Sequence, residues 1–220
     1  MSSSINNSTS KIVLAGTCSV GKSSLIEMLI NKHFSETIPN TVGLSFFTKQ
    51  YSEHNFTHTL NIWDTPGQDR FSAYTKSYFR NSDAIVILVA VDSEESVDEA
   101  RRIAELALEI KSTSGLHFLV INKIDLLKYG QFDTTKGDEL YKRCSFYDKI
   151  LQLEKQFSFE KTFWTSAKEL ETVEVLFEGV HKHLMNEKIL FGHNISHAEG
   201  VKDIVNLKVD KKSKSNGGCC

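Results

Sequence analysis

Gly16-Thr17-Cys18-Ser19-Val20-Gly21-Lys22-Ser23 fits the pattern G-x-x-x-x-G-K-[ST], and its two flanks decide the fold. On one side, Ile12-Val13-Leu14-Ala15 is a short, unbroken apolar run, which reads as a strand buried on both faces. On the other, Leu25, Ile26, Leu29 and Ile30 recur at helical spacing between about Lys22 and Lys32. A glycine-bearing turn between a buried strand and a helix points successive backbone N–H groups inward, and the helix adds its positive end. Such a turn cradles phosphate. Gly16 and Gly21 permit the curl, Thr17, Cys18, Ser19 and Val20 span it, and Ser24 continues into the helix. Lys22 is placed to reach the β and γ phosphates, and the Ser23 hydroxyl to ligate Mg2+.

Further along, Leu44–Tyr51 and Thr57–Asp64 read as paired strands flanking a polar turn, and Ala84–Val91 and Leu116–Ile121 as two buried strands. Thr162–Thr165 is a last short strand. Helices are expected over Ser93–Lys111, with Ser93 as cap and Val97, Ile103, Leu106, Leu108 and Ile110 as apolar face, over Asp138–Phe157, and over Glu169–Lys188. Strands alternating with helices predict an α/β domain. Its central sheet is mostly parallel, with one antiparallel edge strand and helices on both faces. Ligands of such sheets bind at the carboxyl ends of the strands.

Three more motifs stand at those ends. In Trp63-Asp64-Thr65-Pro66-Gly67-Gln68, Asp64 can bring a carboxylate to the cation, Gly67 a backbone N–H to a γ phosphate, and Gln68 can orient an attacking water. Asn122-Lys123-Ile124-Asp125 supplies base recognition. The Asp125 carboxylate only accepts hydrogen bonds, so it pairs with the N1–H and 2-amino donors of guanine, for which adenine has no counterpart. Ser166-Ala167-Lys168 would add the Ala167 N–H to the guanine carbonyl. The nucleotide is therefore GTP or GDP.

In this order the motifs resemble the small GTPases of the Ras superfamily over about Lys11 to Lys188. The resemblance implies a P-loop GTPase domain and further roles. Phe34 would pack edge-on against guanine, Thr41 would ligate Mg2+ beside Ser23 and Asp64 only with GTP bound, and the segments around Thr41 and Gln68 would be the switches. Within the superfamily, Trp63-Asp64-Thr65-x-Gly67-Gln68-x-Arg70-Phe71 and the terminal Cys219-Cys220 look like the Rab family. That implies prenylation of both cysteines and a lipid anchor on the cytoplasmic face of an intracellular membrane, with a cytosolic pool. Lys208, Lys211, Lys212 and Lys214 would add attraction to anionic lipid. It also implies an exchange factor, an activating protein, effectors, prenylation escort machinery and a GDP-dissociation inhibitor as partners, around a protein expected to be monomeric.

The chain departs from the family pattern at Pro66, where alanine is usual. Proline fixes φ, removes an N–H and restricts the preceding residue, so partial obstruction of hydrolysis is expected. Cys18 and Ser19 replace glycines of Ras proteins. Asp125 and Ser166 stand further apart than in most of the family, with a longer loop expected around Lys128–Lys136. Alternatives are a GTP-binding scaffold with negligible hydrolysis and a GTPase of another superfamily branch. A nucleotide kinase is disfavoured by the guanine motif.

Composition agrees. In 220 residues, 26 Lys and Arg against 28 Asp and Glu leave a net charge of −2, so no basic field draws nucleic acid, and none is expected as a partner. No stretch approaches the roughly 18 consecutive apolar residues of a membrane span, and the four cysteines form no disulfide framework, so synthesis in the cytosol is expected. Residues 1–10, rich in Ser and Asn, read as a solvated, disordered segment before a GTP-binding domain over 11–190. Residues 191–220 read as a flexible tether. The eight His read as surface residues, with His181 and His183 two apart on a helix and so not facing one another. Phe46, Phe47, Trp63, Phe71, Tyr74 and Tyr78 read either as core or as an exposed effector surface.

Overall fold

A computed structural model describes residues 6–53, 56–67, 73–110, 115–127 and 143–190. The apolar run before the phosphate-loop pattern lies in β1 (Asn6–Ala15), and the loop leads into α1 (Lys22–Asn31). Then follow the antiparallel pair β2 (Ser45–Glu53) and β3 (Phe56–Asp64), α2 (Ala73–Phe79), β4 (Ala84–Ala90), α3 (Glu95–Glu109), β5 (Leu116–Asn122) and a 3-10 turn, Ile124–Leu127. The chain continues through α4 (Tyr147–Gln156), β6 (Lys161–Trp164) and α5 (Leu170–Leu190). The sheet runs β2-β3-β1-β4-β5-β6, parallel throughout except for the edge strand β2. This is the α/β fold of a Ras-like P-loop GTPase.

Strand alternation sorts the core into two layers. Ile12 and Leu14, with Val86, Leu88, Phe118 and Val120, pack under α1 and α5. Val13, Ile85, Ile87, Leu119 and Ile121 pack under α3 and α4 on the other face. All seven residues of β4 are buried, which is why its sequence is an unbroken apolar run. Each such Ile, Leu or Val contributes roughly 1.5–3 kcal/mol through burial. Because β1 lies between β3 and β4, the chain leaves it at the point where strand order reverses, and a crevice opens there at the carboxyl ends. No helix among the described residues is long and apolar enough to cross a membrane.

The structure corrects several expectations. Asn6–Ser10 is strand, paired in parallel with Phe56–Leu60. A backbone ladder, rather than apolar side chains, carries this stretch. Ser10 is buried, and its hydroxyl lies 2.9 Å from His58 Nε2. Polarity therefore concealed a strand. Residues 143–146 form turns, and α4 starts only at Tyr147 rather than at Asp138; residues 138–142 lie outside the described residues.

Ser93 makes no side-chain cap on α3. The Ser96 hydroxyl instead accepts from the Ala90 N–H at 3.0 Å. Of the expected apolar face, Val97 and Ile103 are buried and Leu106 and Ile110 pack against the core, but Leu108 is 64% exposed, and Ala100, Ala104 and Ala107 complete the buried face of α3. Phe191–Cys220 and the loop around Lys128–Lys136 also lie outside the described residues.

Not all His are at the surface. His58 in β3 is fully buried, and its Nδ1 lies 2.7 Å from Nδ1 of His181 in α5, whose ring stacks on Tyr51. The aromatic group divides. Phe47 and Tyr78 pack against the two core layers, whereas Phe46 is half exposed and meets Trp63 edge-on at 5.0 Å. The side chains of Phe71 and Tyr74 are outside the described residues.

Candidate functional site

The crevice at the carboxyl ends of β1, β3, β5 and β6 is a cavity of about 430 Å³. Its floor is the loop between β1 and α1. Gly21 has φ +97°, a conformation L side chains rarely adopt, and a Cβ there would run into the Asn122 amide. Ser19 (φ 62°) and Lys123 (φ 65°) take left-handed backbone beside the same cavity, the kind of strain that clusters at ligand sites. Lys22 Nζ donates to the carbonyls of Gly16 and Thr17, both at 2.9 Å, which leaves one of its three donors for a ligand. Burial lowers the Lys22 pKa, and Asp64 acts against that shift.

Oxygen atoms from three separate segments meet beside Lys22. The Ser23 hydroxyl donates to Asp64 Oδ2 at 2.5 Å and lies 2.9 Å from Thr41 Oγ1, which in turn is 3.4 Å from Asp64 Oδ2. Asp64 is buried and its Oδ1 has no hydrogen-bond partner. Burial raises the Asp64 pKa against the opposing effects of the Ser23 bond and Lys22. A buried carboxylate oxygen left unpaired among hydroxyls is a standing cost unless a cation meets it. An all-oxygen set with one carboxylate suits a small hard divalent ion such as Mg2+, so these residues fit that metal.

The residues expected to recognise the base stand at the ends of β5 and β6. Asn122, fully buried at the end of β5, donates through Nδ2 to the Val20 carbonyl at 2.8 Å and accepts from Thr165 Oγ1 at 3.1 Å, which locks it to the phosphate loop. Asp125 lies in the 3-10 turn, and its Oδ1 accepts from the Ser166 hydroxyl at 2.7 Å. Lys168 stands 5.3 Å above the Phe34 ring, with its Nζ 3.7 Å from Asp125 Oδ2, so it spans the base-recognition loop and the segment after α1. Ala167 lines the same cavity, as do Cys18, Ser24 and Lys123.

Gly67 is held against the phosphate loop, because a Cβ on it would stand 2.5 Å from the Cys18 backbone nitrogen. The Thr65 hydroxyl donates to the Leu14 carbonyl at 2.8 Å, pinning the residue before Pro66 to β1. Gln68 lies outside the described residues. The motif reading missed Asp92, which lines the cavity and pairs with Lys123 Nζ at 2.8 Å. It stands just past the end of β4, after Val91, and position near a strand's carboxyl end was the signal available.

A phosphate loop, an oxygen cluster and a base-recognition pair around one crevice define a nucleotide-binding protein of the Ras-like GTPase type. The model of the Ras family matches residues 11–186, and the chain belongs to that family. Among its relatives, Ras-related protein Rab7 of Cenchrus ciliaris is 29% identical over 217 residues, covering 96% of each chain. Ras-related protein Rab-20 of Mus musculus is 28% identical over 235 residues, covering 96% of this chain and 97% of that one. A Ras and EF-hand domain-containing protein homolog of Caenorhabditis elegans is 36% identical over 118 residues. That match takes in 54% of this chain and 19% of the relative, so the chain spans only about a fifth of that protein's length.

Proposed function

We propose that the protein is a Rab-like switch that binds GTP with Mg2+, hydrolyses it slowly to GDP and phosphate, and recruits effectors in vesicle traffic while GTP is bound. One observation carries this reading: the Asp125 carboxylate, which accepts from Ser166, lines the same cavity as Lys22 and as Ser23 and Thr41, whose hydroxyls meet at Asp64 Oδ2. Asp125 accepts from guanine N1–H and the 2-amino group, with Ala167 and Phe34 at the base and Lys22 on the phosphates. Ser23, Asp64 and Thr41 would hold the cation, which when bound would neutralise charge on the phosphate oxygens. Thr41 would be a ligand to it only with GTP bound.

Gly67 N–H approaches the γ phosphate and Gln68 orients the water. Water adds to the γ phosphorus, the bond to the β–γ bridging oxygen breaks, and GDP leaves with inorganic phosphate. No arginine in either switch is assigned to the developing charge, although Arg70 is nearby in the sequence, so an activating protein would supply one. Cys219 and Cys220 would carry prenyl chains, two of which anchor stably where one binds only marginally, on the cytoplasmic face of an internal membrane. An exchange factor, escort machinery and a GDP-dissociation inhibitor complete the expected partners.

Competition between GTP and ATP, followed by single-turnover phosphate release, tests the core of this reading. Preference for GTP and slow release are expected; equal affinity for ATP would overturn the guanine assignment, and no release would leave a GTP-binding scaffold. Replacing Cys219 and Cys220 with serine should move the protein from the membrane to the soluble fraction with GTP binding intact. Retention on membranes after a high-salt wash would overturn the lipid anchor.

A further inference from the structure

Ser166 is fully buried at the carboxyl end of β6, and its backbone N–H donates to the hydroxyl of Thr172 at 3.0 Å. Thr172 sits in the first turn of α5, itself buried. Its own hydroxyl hydrogen is shared between the carbonyls of Ser166 at 3.1 Å and Glu169 at 2.9 Å. One side-chain oxygen thus holds both backbone polar groups of Ser166. The Ser166 hydroxyl accepts from the Lys168 N–H at 3.1 Å and donates to Asp125 Oδ1 at 2.7 Å. An unbroken chain of hydrogen bonds therefore runs from helix α5 through Thr172 and Ser166 to the carboxylate that faces the nucleotide cavity. Thr172 does not line that cavity.

We infer that Thr172 is a positioning residue for guanine recognition, setting the angle of the Asp125 carboxylate through Ser166; the inference rests on the guanine reading above. Without the hydroxyl, the Ser166 N–H would be a buried donor with no acceptor, and the loop would turn to find one. Ser166 Oγ would move with its backbone, and Asp125 would lose the bond that orients it. A carboxylate that must meet two donors of one base edge at once is sensitive to such rotation, whereas phosphate contacts made by Lys22 and the first loop are not.

The test compares GDP with inosine diphosphate, whose base keeps N1–H but lacks the 2-amino group, on the full chain. The native protein should prefer GDP. Thr172→Val, nearly the same shape without the hydroxyl, should reduce the ratio of the two affinities about tenfold, the effect of losing one well-made hydrogen bond. Thr172→Ser, which keeps the hydroxyl, should retain the native ratio.

A purely structural role would lower the melting temperature of Thr172→Val and leave the ratio unchanged, and that result overturns the inference. Should the valine variant not fold, Thr172→Ser against Thr172→Ala isolates the same hydroxyl, and equal ratios in that pair overturn it as well. Equal affinity of the native protein for the two nucleotides would instead bring down the guanine reading on which the inference rests.

Discussion

Strand β3 carries a buried polar group near each end, and the two differ in what surrounds them. Asp64, at the carboxyl end, is 2% exposed; two hydroxyls crowd one of its oxygens while the other has no partner. His58, near the amino end, is fully buried, and both its ring nitrogens are engaged, Nδ1 with His181 and Nε2 with Ser10. The first cluster leaves a buried acceptor without a partner, whereas the second leaves neither ring nitrogen of His58 without one. Buried polar groups that are satisfied within the chain hold the fold, and those left short mark a site. An unpaired atom alone does not make one: His117 Nε2 is buried and unpaired as well, and His117 does not line the cavity.

The sharpest way to break the nucleotide end is Gly21→Ala. The side chain would be forced into φ +97° and against the Asn122 amide, so the loop must rearrange. Loss of about 100-fold in GDP affinity is expected, equivalent to roughly 3 kcal/mol, with little change at the His58 cluster. Calorimetric titration with GDP measures it, and an affinity within a factor of two of native would mean that the loop does not need this conformation.

The converse experiment is His58→Leu. It strands the Ser10 hydroxyl and His181 Nδ1 and should cost about 2–4 kcal/mol of unfolding free energy, as for other broken buried networks. GDP affinity of the folded fraction should stay native. A variant as stable as the native protein under denaturant would show that the histidine cluster contributes nothing to the fold.

These two ends also differ in how far the sequence disclosed them. The phosphate loop is local, since Gly16 to Ser23 lie between a strand and a helix that their own apolar patterns announce. Asp64, Asn122, Asp125 and Ser166 were legible as short motifs at or just after the carboxyl ends of β3, β5 and β6, and α/β topology brings those ends together. His58 and His181 are 123 residues apart and belong to no local pattern. Only register and the angle of α5 over the sheet bring them together. Asn6–Ser10 was missed for a related reason, because a strand held by ladder hydrogen bonds and a buried serine leaves no apolar periodicity to read.

Acid should separate the two ends more gently. Burial, the neighbouring His181 and Lys188 all lower the His58 pKa, from the ordinary 6.5 to about 3. Burial lowers that of His181 too, with Lys182 acting in the same direction and Glu178 and Glu53 against it. As pH falls below 6.5 the unfolded chain takes up protons that the folded chain refuses. The stability these groups contribute is therefore full above pH 6.5 and is lost progressively toward pH 3. Melting temperature should fall by several degrees between pH 7 and pH 5, and less steeply in His58→Leu. Parallel pH profiles for the two proteins would mean that other groups govern acid sensitivity.

The smallest effect is expected at Pro66, where the sequence alone suggested an obstruction to hydrolysis. Its neighbours are already restrained by other means. Thr65 is tied through its hydroxyl to the Leu14 carbonyl in the core, and Gly67 lies too close to the Cys18 backbone to admit a side chain. A proline between two fixed residues removes little further freedom, because the backbone on both sides is set before its ring acts. What remains is the missing N–H and a narrower choice of φ, which on the proposed switch reading bears on release of the γ phosphate. Pro66→Ala should raise the single-turnover hydrolysis rate by no more than about threefold, under 1 kcal/mol in the barrier, and leave GDP affinity unchanged. A rise of tenfold or more would show that the proline, rather than the Thr65 and Gly67 contacts, limits the switch. A fall would mean that the ring holds Gly67 in its working position, so that this part of the nucleotide end depends on rigidity as much as the histidine end does.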